Sequence, residues 1–356
     1  MKVKFGDIVR EVKLNVDRTN NPYEFYVAGD HMDGEDLTIR RKGRFATDDV
    51  GPAFTRIFRP GQILYGSRRT YLKKVAVADF DGICSNTTFI LESKEPNVFC
   101  QELLPFIMLS EAFTKWSVSH SKGSTNPYVL FSDLAGFTLN LPSLDEQKVL
   151  ADKLWAAYRV KESYRKLLAA TDDMVKAKFV EMFDYRPLDL SGNTANFDKY
   201  CKDFTSKAEK IPAGDYQQSG KYAIFDQSQD SIIAGYTDRE DGVCTNFPVV
   251  LFGDHSRSIK YIDEPYYIGA DGVKIVKPTT ENIIPKFLYY DLLYHEIPNT
   301  GYNRHFKYLK MIHLTEATLE EQQQFVDIAT QAEATKASLR QSIESIDRVI
   351  KSLINQ

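Results

Sequence analysis

The chain has 356 residues, with 45 Lys and Arg against 49 Asp and Glu for a formal net charge of −4. That length suggests two globular bodies, because single hydrophobic cores stop growing before it, and 43% hydrophobic and 12% aromatic residues give both enough to bury. The charge balance does not suggest a generic polyanion binder, so any contact with nucleic acid has to come from local patches, which acidic helix faces can mask in the whole-chain charge.

Residues 1–142 read as a first head of mixed α and β structure with many short strands. Ile63-Leu64-Tyr65, Val75-Ala76-Val77 and Thr87 to Leu91 are short apolar runs bounded by Gly, Asp or Pro. Pro105 to Leu109 starts a helix expected to reach Trp116. Readout of duplex DNA needs groups that reach base edges and cations that hold phosphates. Arg68, Arg69, Lys73 and Lys74, set around Tyr71 without close acids in sequence, suit that work. Arg40 to Arg44 is a second basic run, but Glu35, Asp36, Asp48 and Asp49 flank it, which also suits a solvated hairpin. After Gly123, the residues Ser124, Thr125 and Asn126 either bring a hydroxyl and an amide close to bases or form a simple turn.

Residues 143–183 read as a long helix. Ser143-x-x-Glu146 is a capping box, in which hydroxyl and carboxylate reciprocally satisfy free backbone donors of the first turn. Leu150, Leu154, Ala157, Lys161, Tyr164, Leu168, Thr171 and Val175 then recur at steps of four and three, the spacing of a coiled-coil seam over about four heptads.

Residues 184–318 read as a second head that repeats the order of the first. Val249 to Gly253 parallels Ile63 to Gly66, Asp271-Gly272-Val273 parallels Asp81-Gly82-Ile83, and Ile283 to Leu293 supplies a helix. Two basic groups are candidates for DNA contact here. One is His255, Arg257 and Lys260; the other is Tyr302, Asn303, Arg304, His305 and Lys307, which follows a Gly and takes the position of the first head's loop. A structural aromatic corner is the alternative for the second group.

Residues 319–356 return to the long helix. Sliding the chain by 175 positions, the distance from Leu144 to Leu319, superimposes Glu146, Gln147, Lys161, Arg165 and Asp172 on Glu321, Gln322, Lys336, Arg340 and Asp347 without a gap. Thr318-x-x-Glu321 repeats the capping box, and Phe325, Ala329, Ala332, Lys336, Leu339, Ile343, Ile346 and Ile350 repeat the seam. Two ordinary amphipathic helices on separate cores are the alternative, but a lysine at the same mid-seam position of both copies is the device that fixes register at a cost in stability. Two equivalent helices pairing antiparallel are related by a dyad, and a helix of about 35 residues would hold their heads roughly 50 Å apart. The expected class is α+β: two mixed α/β heads separated by two long antiparallel coiled-coil helices in a pseudo-two-fold arrangement.

This layout resembles the specificity subunit of type I restriction-modification systems, whose order is target-recognition domain, conserved helix, target-recognition domain, conserved helix. Leu141-Pro142-Ser143-Leu144-Asp145-Glu146-Gln147 is similar to that family's Leu-Pro-x-Leu-x-Glu-Gln lead into its spacer helix, and Lys178-Phe179-Val180-Glu181-Met182-Phe183 to the helix's end. The second head resembles one recognition-domain type, with Gly253-Asp254-His255-Ser256-Arg257, Lys260-Tyr261 and Gly269 to Lys274. The second lead-in, Leu314-Thr315-Glu316-Ala317, departs from the Pro-rich pattern. The resemblance implies a non-catalytic chain that binds double-stranded DNA in two parts and recruits two methyltransferase subunits, with restriction subunits added to the complete enzyme. S-adenosylmethionine would then sit on the methyltransferase partners, and this chain would carry no cofactor.

Catalytic look-alikes fail on their own chemistry. Asn126-Pro127-Tyr128-Val129 lacks the second proline of the amino-methyltransferase signature, and the chain contains no Gly-x-Gly to cradle a nucleotide-like cofactor. Glu92-Ser93-Lys94 after Asp79 and Asp81 has the carboxylate-x-Lys form of metal-dependent nucleases, a triplet common at strand ends. The six histidines show no ligand spacing, so no metal site is expected. Cys84, Cys100, Cys201 and Cys244 form no C-x-x-C pair, which favours a reducing compartment. Neither a signal region nor an apolar run of about 18 residues is present, and the expected place is the cytoplasm, away from membranes.

Overall fold

The computed structural model describes residues 1–17, 20–229 and 231–355. Arg18, Thr19, Asp230 and Gln356, which the expected domain ranges include, lie outside the described residues. The chain divides into two compact units, Met1–Arg165 with Arg340–Gln356, and Lys166–Leu339.

Unit 1 runs through β1 (Lys2–Lys4), α1 (Phe5–Ile8), β2 (Val9–Glu11), β3 (Phe25–Val27), β4 (Gly43–Arg44), β5 (Phe54–Phe58) and β6 (Ile63–Gly66). It continues with β7 (Val75–Val77), β8 (Gly82–Ser85), β9 (Thr88–Ser93), α2 (Leu104–Leu109), α3 (Glu111–Ser119), α4 (Phe131–Ala135), β10 (Thr138–Asn140) and the long α5 (Leu144–Met182). The strands make two four-stranded sheets, β2-β9-β6-β7 and β4-β3-β8-β5, and the pair β1-β10. Alternate residues of β6 and β9 serve two cores. Ile63, Tyr65, Phe89 and Leu91 pack with Phe106 and Phe113 of the helices, while Leu64 and Ile90 pack with Val27, Phe58 and Cys84. Burial on both faces is why these strands read as unbroken apolar runs. The helix expected from Pro105 to Trp116 is instead two. Ser110 is extended (φ −62, ψ 152) and accepts from the Phe113 N–H through its hydroxyl, so it ends one helix and caps the next.

Unit 2 contains α6 (Phe197–Tyr200), β11 (Cys201–Asp203), β12 (Lys210–Ile211), β13 (Tyr222–Phe225), β14 (Gly235–Thr237), β15 (Val249–Gly253), β16 (Ile259–Ile262), β17 (Tyr266–Gly269) and β18 (Val273–Pro278). Then come α7 (Pro285–Tyr294), α8 (Phe306–Leu309) and the long α9 (Leu319–Ile354). Its sheets are β11-β18-β15-β16 and β12-β17-β13-β14. The first has the order of the first sheet of unit 1, with β15 in the place of β6, as the sequence parallel suggested. The other parallel does not hold. Gly66 faces Thr88 and Gly253 faces Val273, so Val273 corresponds to Thr88 at the start of β9, not to Ile83 in β8. A shared Asp-Gly turn misled the comparison, because such turns precede many strands.

The long helices pair antiparallel within each unit. In unit 1 the start of α5 lies along the end of α9, with Leu150 and Leu154 near Leu353 and Ile354, and Lys161 bonded to Asp347 at 2.5 Å. In unit 2 the end of α5 meets the start of α9, with Phe179 packed on Phe325 and Lys336 bonded to Asp172 at 2.5 Å. A shift of 175 carries Lys161 onto Lys336 and Asp172 onto Asp347, so one bridge is made twice with the helices exchanged. Every expected seam residue is buried or half-buried, including Leu168, Val175, Leu339, Ile343 and Ile350.

Both helix starts are held identically. Ser143 and Glu146 bond reciprocally (2.8 and 3.4 Å), as do Thr318 and Glu321 (2.8 and 3.3 Å). Hydrogen bonds from Ser143 hold the Glu146 carboxyl below its usual range, and those from Thr318 do the same for Glu321. Beside each carboxylate is a buried glutamine. Gln147 accepts from the Cys100 N–H at 2.9 Å and donates to Val98 O and Pro142 O, both at 3.1 Å. Gln322 accepts from the Ile284 N–H at 2.8 Å and donates to Asn282 O and Ala317 O, both at 2.9 Å. The Glu-Gln pair of each lead-in thus caps a helix and pins it to its head. The departure at Leu314 to Ala317 has a local reason. The first lead-in follows a strand, β10 on β1, whereas in the second the Thr315 N–H and hydroxyl donate to buried Asp291 at 2.8 and 2.9 Å.

Candidate nucleic-acid interface

In unit 1 the basic segment and the polar loop come together. Ser67 leaves β6 by donating its N–H and hydroxyl to Thr87 O (3.0 and 2.7 Å). Arg68 then bridges to Tyr128, and the Arg69 N–H donates to Pro127 O at 2.7 Å. Arg69 and Lys73 both take the left-handed conformation (φ 49 and 48) around the single turn Thr70–Leu72. Each such residue costs on the order of 1 kcal/mol, strain of a kind found at functional sites. The turn presents Tyr71 and Leu72, 54% and 40% exposed. Lys122 and Tyr128 close the other loop by exchanging backbone bonds of 2.8 and 2.9 Å, leaving Ser124, Thr125 and Asn126 exposed. Arg68, Arg69, Lys74 and Asn126 line one hollow of about 250 Å³.

Two of the four cations are less free than the sequence suggests. Glu35, distant in sequence, accepts from Lys73 Nζ at 2.9 Å and from Lys351 Nζ at 3.0 Å, so the segment does have a close acid. Burial pushes the Glu35 carboxyl up, but the two lysines outweigh it and hold it below the usual range. Lys74 Nζ is bonded to Gly29 O. Arg68 and Arg69 stay exposed. The second basic run is a balanced face: Arg40 pairs with Asp36 and Glu162, Arg41 with Asp33, and Arg44 with Glu24, at 2.5 to 2.7 Å.

In unit 2 the two candidate groups are also neighbours, but they divide into an outer and an inner set. Outside, the His255 and Tyr302 rings stack with centroids 4.8 Å apart, and Asn303, Arg304 and Lys307 are exposed beside them. Inside, His305 is fully buried, its Nδ1 donating to Asp254 O at 3.0 Å and its Nε2 accepting from the Thr300 N–H at 3.3 Å. Lys260 is 7% exposed and donates to Ser231 O and Ile232 O at 2.9 and 3.1 Å. Burial also lowers its pKa. His305 and Lys260 were expected to face DNA; both hold loops together instead, since a buried polar group must find its partners inside the fold. Arg257 is half-buried, left-handed (φ 64) and bonded through Nη1 to Ile297 O at 3.1 Å.

The sequence reading missed the segment around Gln227, whose Oε1 accepts from the His255 N–H at 3.2 Å. It set Glu35 beside Arg40 to Arg44 and missed its pairing with Lys73 as well. Neither carried a local signal, because each acts across a long separation in sequence. Among the described residues no cluster of His, Cys, Asp and Glu could hold a metal ion, and no helix is long and apolar enough to cross a membrane.

Comparison with solved structures decides the architecture. The S subunit of the type I restriction-modification system from M. genitalium aligns over 99% of this chain and 94% of its own, with a TM-score of 0.55 at 13% identity. This is the fold of a type I specificity subunit. A second chain, from a structure describing complex assembly and conformational transition of the type I R-M system, aligns over 99% of this chain and 96% of its own, with a TM-score of 0.54 at 20% identity. Among curated proteins, the type I restriction enzyme EcoDI specificity subunit of Escherichia coli is 26% identical over 183 residues, half of this chain. That match spans 39% of the relative's length. No family model matches the chain. The specificity-subunit fold accounts for the alternation of head and long helix.

Proposed function

We propose that this chain is the DNA-binding specificity subunit of a type I restriction-modification complex, and is not itself an enzyme. Each head reads one half of an interrupted double-stranded target, and the helix pair sets the number of base pairs between the halves. The carrying observation is that the two units share the order of one four-stranded sheet while presenting different exposed side chains on their loops: Arg68, Arg69, Tyr71 and Asn126 in one, Tyr302, Arg304 and Lys307 in the other. Related scaffolds with unequal loops suit a reader of two unlike sequences. Two methyltransferase subunits, carrying S-adenosylmethionine, would modify adenine in the bound target, with restriction subunits joining for cleavage, all in the cytoplasm. The fold shared with the M. genitalium S subunit supports this reading.

Methylome sequencing of a host carrying the chain with its methyltransferase partners tests it. One two-part motif with a fixed gap is expected, and it should vanish when this chain is deleted. Methylation or cleavage of DNA by the purified chain alone would overturn the reading.

A further inference from the structure

The ring of Tyr302 stands outside the core of unit 2. Tyr302 is 91% exposed, so it forgoes the burial that an aromatic ring gains in a fold. Yet its place is fixed. His255 covers one face of the ring, with 8° between the planes. His255 is itself set by its N–H bond to Gln227 Oε1 and by its Nδ1, 3.2 Å from Asn303 O. Below the ring, Gly301 is left-handed (φ 80), the Asn303 N–H donates to Gly301 O at 2.8 Å, and buried His305 ties the loop to Asp254. The far face of Tyr302 is therefore open on a rigid support.

The surroundings narrow what that face can take. Residues 299–307 include Arg304 and Lys307, both exposed, and no Asp or Glu. Docking patches for proteins are continuous and apolar at their centre. A single ring among cations fits a nucleotide, whose base stacks while its phosphates are neutralised.

We propose that Tyr302, backed by His255, is a stacking platform for one base of the half-site that unit 2 reads. The proposal rests on the chain being a DNA reader and gives this loop its role. Bases inside a duplex have both faces covered, so the ring engages one that has left the stack, with exposed Lys307 on a phosphate that flanks it. The half-site then contains a step that opens cheaply, of the pyrimidine–purine kind. Tyr302 selects sequence through the ease of opening and not through hydrogen bonds.

The test uses the chain assembled with its methyltransferase partners, on the duplex it selects from a random pool, with each nucleotide of the half-site replaced in turn by an abasic one. On the intact duplex Tyr302→Ala should weaken binding about tenfold or more, the scale of a base stacked on an aromatic ring. Tyr302→Phe should bind as the unaltered chain does. At one abasic position the penalty of Tyr302→Ala should disappear. Absence of sequence-preferring binding by the unaltered complex overturns the DNA-reader reading and the platform with it. Binding unaffected by Tyr302→Ala, or a penalty equal at every abasic position, removes the platform alone.

Discussion

Among single residues, position in the fold separates side chains that look alike in sequence. Gln147 and Gln322 sit in helix lead-ins full of polar residues, yet each is buried and makes three hydrogen bonds to backbone groups of its head. Removing such an amide leaves a buried N–H and two carbonyls without partners, a penalty of roughly 1–3 kcal/mol. Gln322→Ala should lower the denaturant midpoint accordingly, whereas Gln323→Ala, one position along on an exposed face, should leave it nearly unchanged. Equal midpoints for both would mean that the pin carries no weight. The same logic separates Arg304, Lys307 and Tyr302 from their neighbour His305, and Arg68 and Arg69 from Lys73.

At the scale of elements, the helix pair shows why a polar residue is tolerated in an apolar seam. Lys161 is 5% exposed at its side chain, and an unpaired ammonium there would be costly. Asp347 supplies the partner, and Lys336 and Asp172, the same residues of the repeat with the helices exchanged, make the second bridge. Any other register would bury a lysine without its acid, so the two bridges select one alignment of the helices. At about 1.5 Å per residue, helices of 39 and 36 residues run for about 58 and 54 Å. Deleting one heptad between the bridges from both helices keeps the seam phase and both bridges. The gap in the preferred target should then shorten by about three base pairs, with both half-sites unchanged. An unaltered gap would remove the helices from the role of spacer.

For the molecule as a whole, two heads that share a scaffold and differ in loops should be independent readers. Arg304→Ala should relax sequence preference in one half of the target and Arg69→Ala in the other, each by about 1–3 kcal/mol at the affected position. The double variant should show the two losses added. Binding of the assembled complex to duplexes randomised in one half at a time measures this. A uniform loss over all sequences from Arg304→Ala would place that side chain on a phosphate.

Much of this arrangement was legible in the residues alone. The long helices, their starts, their seam and their equivalence were written in the 175-residue repeat, because capping and heptad spacing are local rules that need no knowledge of the rest of the chain. The alternation of head and helix followed from them. What only the tertiary structure decided was which polar side chains face outward. Lys260 and His305 turn inward, Lys73 meets Glu35, and Ser110 breaks a helix. Each of these outcomes depends on a partner far away in sequence or on backbone angles that composition does not reveal. Burial is a property of the assembled fold, so a basic residue in a loop is a possible reader until packing shows whether its donors are already satisfied.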